Sequence, residues 1–175
     1  MHEKTPPYGT YFVTLSVSGW IDVFTYHTYC DILVDHLNYC IEHKNLQVYE
    51  YVFMPSYINI IATSKKRHIS TVLREFKTST AKQVLKCIAE NPEEKRKEWL
   101  MRLFQFFTHR YQNDAEHHFW QFGNHPVILD TMELFVKYTQ ELLHVPVAKR
   151  LVDEPHHYVY CSAHPCQRVK LSKLP

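Results

Sequence analysis

The order in which the hydrophobic periodicity changes along the chain restricts the fold more than any other feature of this sequence. Residues 10–18 alternate between apolar and polar side chains, and a period of two predicts a strand with one buried face. Residues 27–43 then carry apolar side chains at helical spacing, which predicts an amphipathic helix. Two more strand-like stretches, 46–54 and 57–63, flank a Pro-Ser pair, and a turn at that pair predicts a hairpin.

The second half of the chain favours helices. Residues 68–90 have apolar side chains at helical spacing and end just before a proline, where the helical conformation is disfavoured. A third helix is predicted over residues 93–109, where the apolar positions are Trp99, Leu103 and Phe106.

The stretch after these helices is polar, aromatic and rich in histidine. Residues 110–126 therefore predict a loop with room for a short strand. Asp130, with Glu133 three residues later, resembles a capping box, and such a pair marks a helix start. The last predicted helix runs from there to Val145-Pro146.

The order strand, helix, strand, strand, helix differs from the regular alternation of a parallel sheet. It predicts an α+β fold, with an antiparallel ferredoxin-like sheet and helices packed on one face. We find no internal repeat and no long linker, so a single domain over residues 1–175 is expected, with a core of about 10–165 and a basic tail of 166–175.

Composition narrows the classes of function. Hydrophobic residues make up 45% of the chain and aromatic residues 14%, which argues against disorder. With only three glycines, the chain has no glycine-rich phosphate-binding motif. The net charge of +2 is too small to indicate nucleic acid by itself, so any such argument depends on a local basic surface.

Cysteine use and hydropathy indicate the compartment. The five cysteines are widely spaced and form no Cys-x-x-Cys pair, which speaks against a disulfide framework. No apolar run is long enough for a membrane span and the first residues have no apolar signal core. We expect a cytoplasmic protein without a membrane partner.

Five blocks of sequence, in order, resemble a known family. The most specific is Trp120-Gln121-x-Gly123-x-His125-Pro126. The blocks are residues 11–14 with 19–24, 51–61, 73–80, 119–126, and 145–147 with 155–163. Together they resemble the HUH-superfamily single-tyrosine transposases of the insertion-sequence-200 class, in particular the REP-associated tyrosine transposases.

The resemblance implies metal-dependent cleavage and transfer of single-stranded, hairpin-forming DNA during transposition. In this family a His-x-His strand motif holds Mg²⁺ or Mn²⁺ on one face of the strand, and the cation polarises a phosphodiester. A tyrosine on a later helix attacks and leaves a covalent phosphotyrosine. The resemblance also implies a homodimer.

This chain departs from the family at the residues that perform the chemistry. The His-x-His positions match Tyr57 and Asn59, which keep the shared face but offer a neutral phenol and a weak amide oxygen as ligands. The nucleophilic tyrosine matches Glu141, the helper ligand matches Val145, and a glycine just after the motif matches Arg150. We therefore expect DNA binding with impaired cleavage and no bound cation. Relaxed selection on catalysis and a decaying copy that still folds both explain the pattern.

Two alternative functions stay open. In the first, the chain is an active nickase with a remodelled site, in which Tyr138 is a displaced nucleophile and Glu141 and Asn59 are metal ligands. The simpler interpretation is that Tyr138 packs against the sheet. In the second, the chain is a domesticated scaffold that binds a protein or zinc.

Basic side chains mark the second predicted helix and its approach. Lys66, Arg67, Arg74, Lys77 and Lys82 are the candidates for nucleic-acid binding, because a row of cations can follow a phosphate backbone. The alternative is an ordinary solvated helix face.

Two other sets of side chains have both a functional and a structural interpretation. In the aromatic segment 109–125, rings are candidates for base stacking, although we expect Trp120 in the core and leave Tyr111 open. Zinc ligands are offered by His156, His157, Cys161, His164 and Cys166. Their spacing fits no strong zinc template, and an extended edge explains them equally well.

Overall fold

The computed structural model describes residues 9–111, 118–124 and 126–174. The predicted order of strands and helices is present in it. The elements are β1 Tyr11–Ser16, α1 His27–His43, β2 Leu46–Met54, β3 Tyr57–Ser64, α2 Ile69–Glu90, α3 Lys97–Arg110, β4 Val127–Ile128 and α4 Met132–Ala148.

The strands form one antiparallel sheet. In the described residues its order is β2-β3-β1-β4, which is the ferredoxin-like arrangement, with the hairpin β2–β3 at one side and the first strand inside. β3 is central, since Asn59 lies opposite Thr14 of β1 and Val52 of β2. The predicted α+β class and antiparallel sheet are confirmed.

Helices cover both faces of this sheet. As predicted, α1 and α2 pack on one face, where Ile58 and Ile60 of β3 join the main core. On the other face α4 packs through Phe135 and Leu142 over a second cluster that includes Ile61. The reason lies in β3 itself, whose apolar side chains point to both sides and require cover on each.

The start of α3 is four residues later than the sequence predicts. The helix begins at Lys97 instead of residue 93. Asn91 Oδ1 accepts a hydrogen bond from the Glu93 amide at 3.0 Å, and the buried Glu94 carboxylate accepts one from the Arg96 amide at 3.1 Å. These side chains satisfy backbone donors outside a helix, so the segment forms turns.

Both predicted ends of α4 also differ from the structure. Thr131, and not Asp130, is the N-cap, and its hydroxyl accepts a hydrogen bond from the Leu134 amide at 3.2 Å. The helix continues past Pro146 to Ala148. A proline in the last turn removes only one hydrogen bond of a helix that is already ending.

The C-terminal segment closes the β2 edge of the sheet. Cys161 forms a bridge with Val52, and the Ser172 amide donates to the Val48 carbonyl at 2.7 Å. Val169, within the basic tail, is only 2% exposed and belongs to the main core. The tail therefore packs as part of the described fold.

Across the residues that the structure describes, no helix has the length and apolar character needed to cross a membrane.

Candidate functional site

Tyr57 and Asn59 lie on the face of β3 that α4 covers. Tyr57 packs against the same cluster as α4, and the alternation of the strand places Asn59 on that side too. Asn59 is 6% exposed, and its Oδ1 accepts a hydrogen bond from Thr14 Oγ1 at 2.9 Å across the β1–β3 pair. The amide is therefore part of the packed sheet surface.

The chemistry of this pair does not fit a divalent cation. The Tyr57 ring meets Trp20 edge to face at 5.9 Å between centroids, and burial raises the pKa of its phenol. A phenol with a raised pKa stays neutral near pH 7 and donates little charge to Mg²⁺ or Mn²⁺, which prefer carboxylates and water. The Asn59 oxygen already accepts a hydrogen bond from Thr14.

The α4 residues of the predicted site separate into packed and exposed side chains. The Tyr138 ring lies 4.9 Å from the Phe12 ring and packs with Val145 against the same cluster as Tyr57. Glu141 is exposed to solvent. The structure thus brings α4 onto the sheet face that carries Tyr57, with Tyr138 in the packing position that the simpler interpretation predicts.

The histidines and cysteines near the C terminus do not converge. No three His, Cys, Asp or Glu side chains in the described ranges lie close enough together to hold a metal ion. Cys161 is fully buried beside β2. His164 Nδ1 accepts a hydrogen bond from the Cys166 amide at 3.1 Å, so this ring caps a turn of its own segment.

A groove of about 860 Å³ runs between α2 and residues 118–124. Four basic side chains line it, and none of its described lining residues is acidic. The basic residues are Arg74, Lys77, Lys82 and Lys86. We call this feature the α2 groove; it combines positive charge with apolar and aromatic walls.

The predicted basic set divides at the start of α2. Arg74, Lys77 and Lys82 line the α2 groove, as does Lys86, which lies outside the predicted set. Lys66 is exposed in the approach to the helix.

Arg67 instead belongs to a charge cluster. Its guanidinium donates two hydrogen bonds to Glu75, at 2.6 and 3.2 Å, and Lys44 reaches the same carboxylate at 3.2 Å. The shared carboxylate offsets part of the Arg67 charge, so this residue is a weaker candidate for a phosphate contact.

Lys77 joins the two walls of the groove. Its Nζ donates to the Gln121 carbonyl at 2.7 Å and to Asn124 Oδ1 at 3.3 Å. Burial lowers the pKa of Lys77, and burial together with the Lys77 charge lowers the pKa of His118. His118 is therefore neutral near pH 7, and Lys77 supplies the charge at the base of the groove.

The aromatic segment contributes both to the core and to the surface. Trp120 is buried, as predicted, and its Nε1 donates to Thr80 Oγ1 at 3.1 Å. Phe122 is 63% exposed at the edge of the groove. His117, in the aromatic segment 109–125, and His125, in the most specific sequence block, lie outside the described residues.

Comparison with known proteins gives a relationship in fold. No family model matches the chain, and no curated protein matches it. A solved structure of a REP-associated tyrosine transposase bound to a REP hairpin matches over 95% of this chain and 87% of that chain, with a TM-score of 0.62 and 13% identity. The two chains share a fold. The shared fold is the one that the sequence resemblance implied.

Proposed function

We propose that this chain is a transposase-like protein that binds single-stranded DNA, in particular hairpin DNA, through the α2 groove. The observation that carries the proposal is the groove itself, where four basic side chains and an exposed phenylalanine surround a cavity without a described acidic residue. Cations that follow a strand and rings that accept bases are the two elements of single-strand recognition.

The dimensions of the groove suit a phosphate backbone. Arg74 and Lys86 mark the two ends of the basic row on α2. At 1.5 Å per residue they are about 18 Å apart along the helix axis, enough for several phosphates of one strand. The shared fold adds support, because the solved transposase of that fold holds a REP hairpin.

We also propose that this copy binds DNA without cleaving it and without a catalytic Mg²⁺ or Mn²⁺. Glu141 at the family tyrosine position has no phenolic oxygen for a phosphotyrosine, and Tyr138 packs its ring on Phe12. The Asn59 oxygen accepts a hydrogen bond from Thr14 within the sheet. A nucleophile displaced by about 1 Å loses roughly 100-fold in rate, so packing of Tyr138 disfavours the remodelled nickase.

Binding is tested with a fluorescent DNA hairpin that carries a single-stranded overhang. The double variant Arg74→Glu/Lys82→Glu is compared with Lys149→Glu/Lys173→Glu, which makes the same change of charge at exposed sites outside the groove. We expect at least about a tenfold loss of affinity in the groove variant only. For the parent, the logarithm of the binding constant should fall with the logarithm of the salt concentration with a slope of about −2, as three phosphate contacts predict. No binding at low salt, or an equal loss in both variants, contradicts the proposal.

Cleavage is tested by incubating the same DNA with Mg²⁺ or Mn²⁺ and looking for a covalent protein–DNA adduct. We expect none. An adduct that disappears in Tyr138→Phe would establish the nickase in place of the binding protein.

A homodimer is the assembly that we propose, with β4 as its contact. β4 is an outer strand of the described sheet, and Val127 and Ile128 are both exposed on it. An edge strand presents unpaired backbone donors and acceptors that can pair with another chain, and exposed apolar side chains add to this tendency. Light scattering on the parent and on Ile128→Lys tests this: a dimer that the charge disrupts supports it, and a monomeric parent refutes it.

A further inference from the structure

α3 turns two of its aromatic side chains, Trp99 and Phe106, away from the core. Its buried residues are Leu100, Phe104 and Thr108. Trp99 and Phe106, which the sequence pattern predicted on the apolar side of the helix, are each 54% exposed. Large rings left in water at helical spacing indicate a surface that contacts something else.

From the last turns of α3 onward the rings form a continuous series. Phe106 lies 5.9 Å from Phe107, Phe107 stacks on Tyr111 at 6.3 Å, and Tyr111 meets Phe122 at 5.7 Å between centroids. We call Phe106, Phe107, Tyr111 and Phe122 the aromatic track. Because Phe122 also lines the α2 groove, the track begins where the groove ends.

Packing against the fold supports this track from one side. Phe107 is half-buried and packs against the turn at Gly19, where an added Cβ would lie only 2.7 Å from its ring. Tyr111 and Phe122 are supported from behind by the buried His118, whose ring centroid lies 5.0 and 4.4 Å from theirs. Tyr111 and Phe122 are 47% and 63% exposed.

The charge around the track decides what kind of partner fits it. Arg110, in the last turn of α3, directly precedes Tyr111 in the chain. The groove at the Phe122 end is basic as well. An apolar protein surface gains little from such cations, whereas a strand with π-faced bases and phosphates is complementary to both features.

We propose that the aromatic track stacks about two or three bases of an unpaired DNA segment that leaves the α2 groove. This inference rests on the proposed function and extends it: the groove holds the backbone of the hairpin DNA, and the track selects DNA with a single-stranded extension. Ring faces accept any base, so the contribution is largely independent of sequence.

The test compares hairpins that share one stem. One has no overhang, two have about six thymidines at the 5′ or the 3′ end, and two carry abasic overhangs of the same length and charge. For the parent we expect one of the two hairpins with a thymidine overhang to bind about tenfold more tightly than the blunt hairpin. The hairpin with the matching abasic overhang should show no such gain. The abasic probes separate stacking from simple attraction to extra phosphates.

The variants are Tyr111→Ala, Phe122→Ala and their combination, with Trp99→Ala as a matched control that removes an exposed ring of α3 outside the track. We expect Tyr111→Ala to lose most of the overhang gain and to keep the affinity for the blunt hairpin, while Trp99→Ala keeps both. Phe122→Ala should lose the overhang gain and also weaken binding of the blunt hairpin, because Phe122 lines the α2 groove. Single variants at exposed positions retain the fold, which circular dichroism checks.

The failures of the two proposals are distinguishable. If the parent binds the blunt hairpin but gains nothing from an overhang, or if the track variants keep the gain, the track proposal is wrong and the groove proposal stands. If the parent binds none of the probes, the proposed function is wrong and the track proposal falls with it.

Discussion

Lys77 Nζ lies 2.7 Å from the carbonyl oxygen of Gln121, so that one ammonium group joins α2 to the opposite wall of the groove. The same group reaches Asn124 Oδ1 at 3.3 Å. A basic residue that the sequence suggests as a phosphate contact is therefore also the brace that shapes the site.

Replacing Lys77 by Met removes this brace and keeps most of the unbranched side chain. We expect the free energy of unfolding to fall by about 1.5–3 kcal/mol, since hydrogen bonds to a charged group are lost, and hairpin affinity to fall as well. Lys82→Met is the control, because Lys82 is exposed: it weakens binding with unchanged stability. Urea unfolding and fluorescence anisotropy measure the two effects. Equal stability of both variants would show that the brace contributes nothing.

Glu50 gives the stability a pH dependence of opposite sign to that of an ordinary ion pair. Burial raises the pKa of this carboxyl, and a hydrogen bond from Ser162 offsets only part of the shift. The folded state thus favours the protonated form, and ionisation costs stability as the pH rises through the folded pKa. We expect Glu50→Gln to unfold at higher urea than the parent near pH 8, with the difference vanishing near pH 4.

Glu75→Gln is the control of opposite sign for this measurement. Hydrogen bonds from Arg67 and Lys44 lower the pKa of Glu75, so its contribution is present above the ordinary carboxyl pKa and lost on acidification. This variant should be less stable than the parent near pH 8 and approach it at low pH. If the stability difference from the parent changed with pH in the same direction for Glu50→Gln and Glu75→Gln, the opposite pKa shifts assigned to the two carboxyls would be contradicted.

Arg150 occupies a backbone conformation that favours glycine. Its φ is 58°, in the left-handed region just after α4, where a side chain costs energy that glycine avoids. We expect Arg150→Gly to raise the free energy of unfolding by about 0.5–1 kcal/mol, visible as a higher melting temperature. Asn45→Gly, also at φ 58°, should gain less, because asparagine tolerates this conformation better.

Gly19 fixes the turn on which the aromatic track packs. Its φ is +70°, and an added Cβ would lie 2.7 Å from Phe107 Cζ. Gly19→Ala should therefore lower the free energy of unfolding by about 2–4 kcal/mol, from backbone strain and overpacking together. Gly9→Ala has a similar φ of +74° but meets Tyr11 only at 3.6 Å, so about 1–2 kcal/mol is expected there. Similar losses in both would exclude the contact with Phe107.

The local pattern of the sequence determined the elements of this fold. Alternation over residues 10–18 and 57–63 predicts β1 and β3, and it also places Tyr57 and Asn59 on one face. Helical spacing over 27–43 and 68–90 predicts α1 and α2. These predictions succeed because the direction of a side chain within one strand or helix depends only on its neighbours in the chain.

Only the tertiary structure decided which partner each face of a helix or strand contacts. The pattern of α3 placed Trp99 and Phe106 on the apolar side, yet both are exposed because Leu100 and Phe104 meet the core instead. Arg67 pairs with Glu75, and Lys77 bonds to a carbonyl 44 residues away. A periodic sequence fixes the faces of an element relative to its own axis, whereas the partner of each face depends on long-range packing that no local pattern encodes.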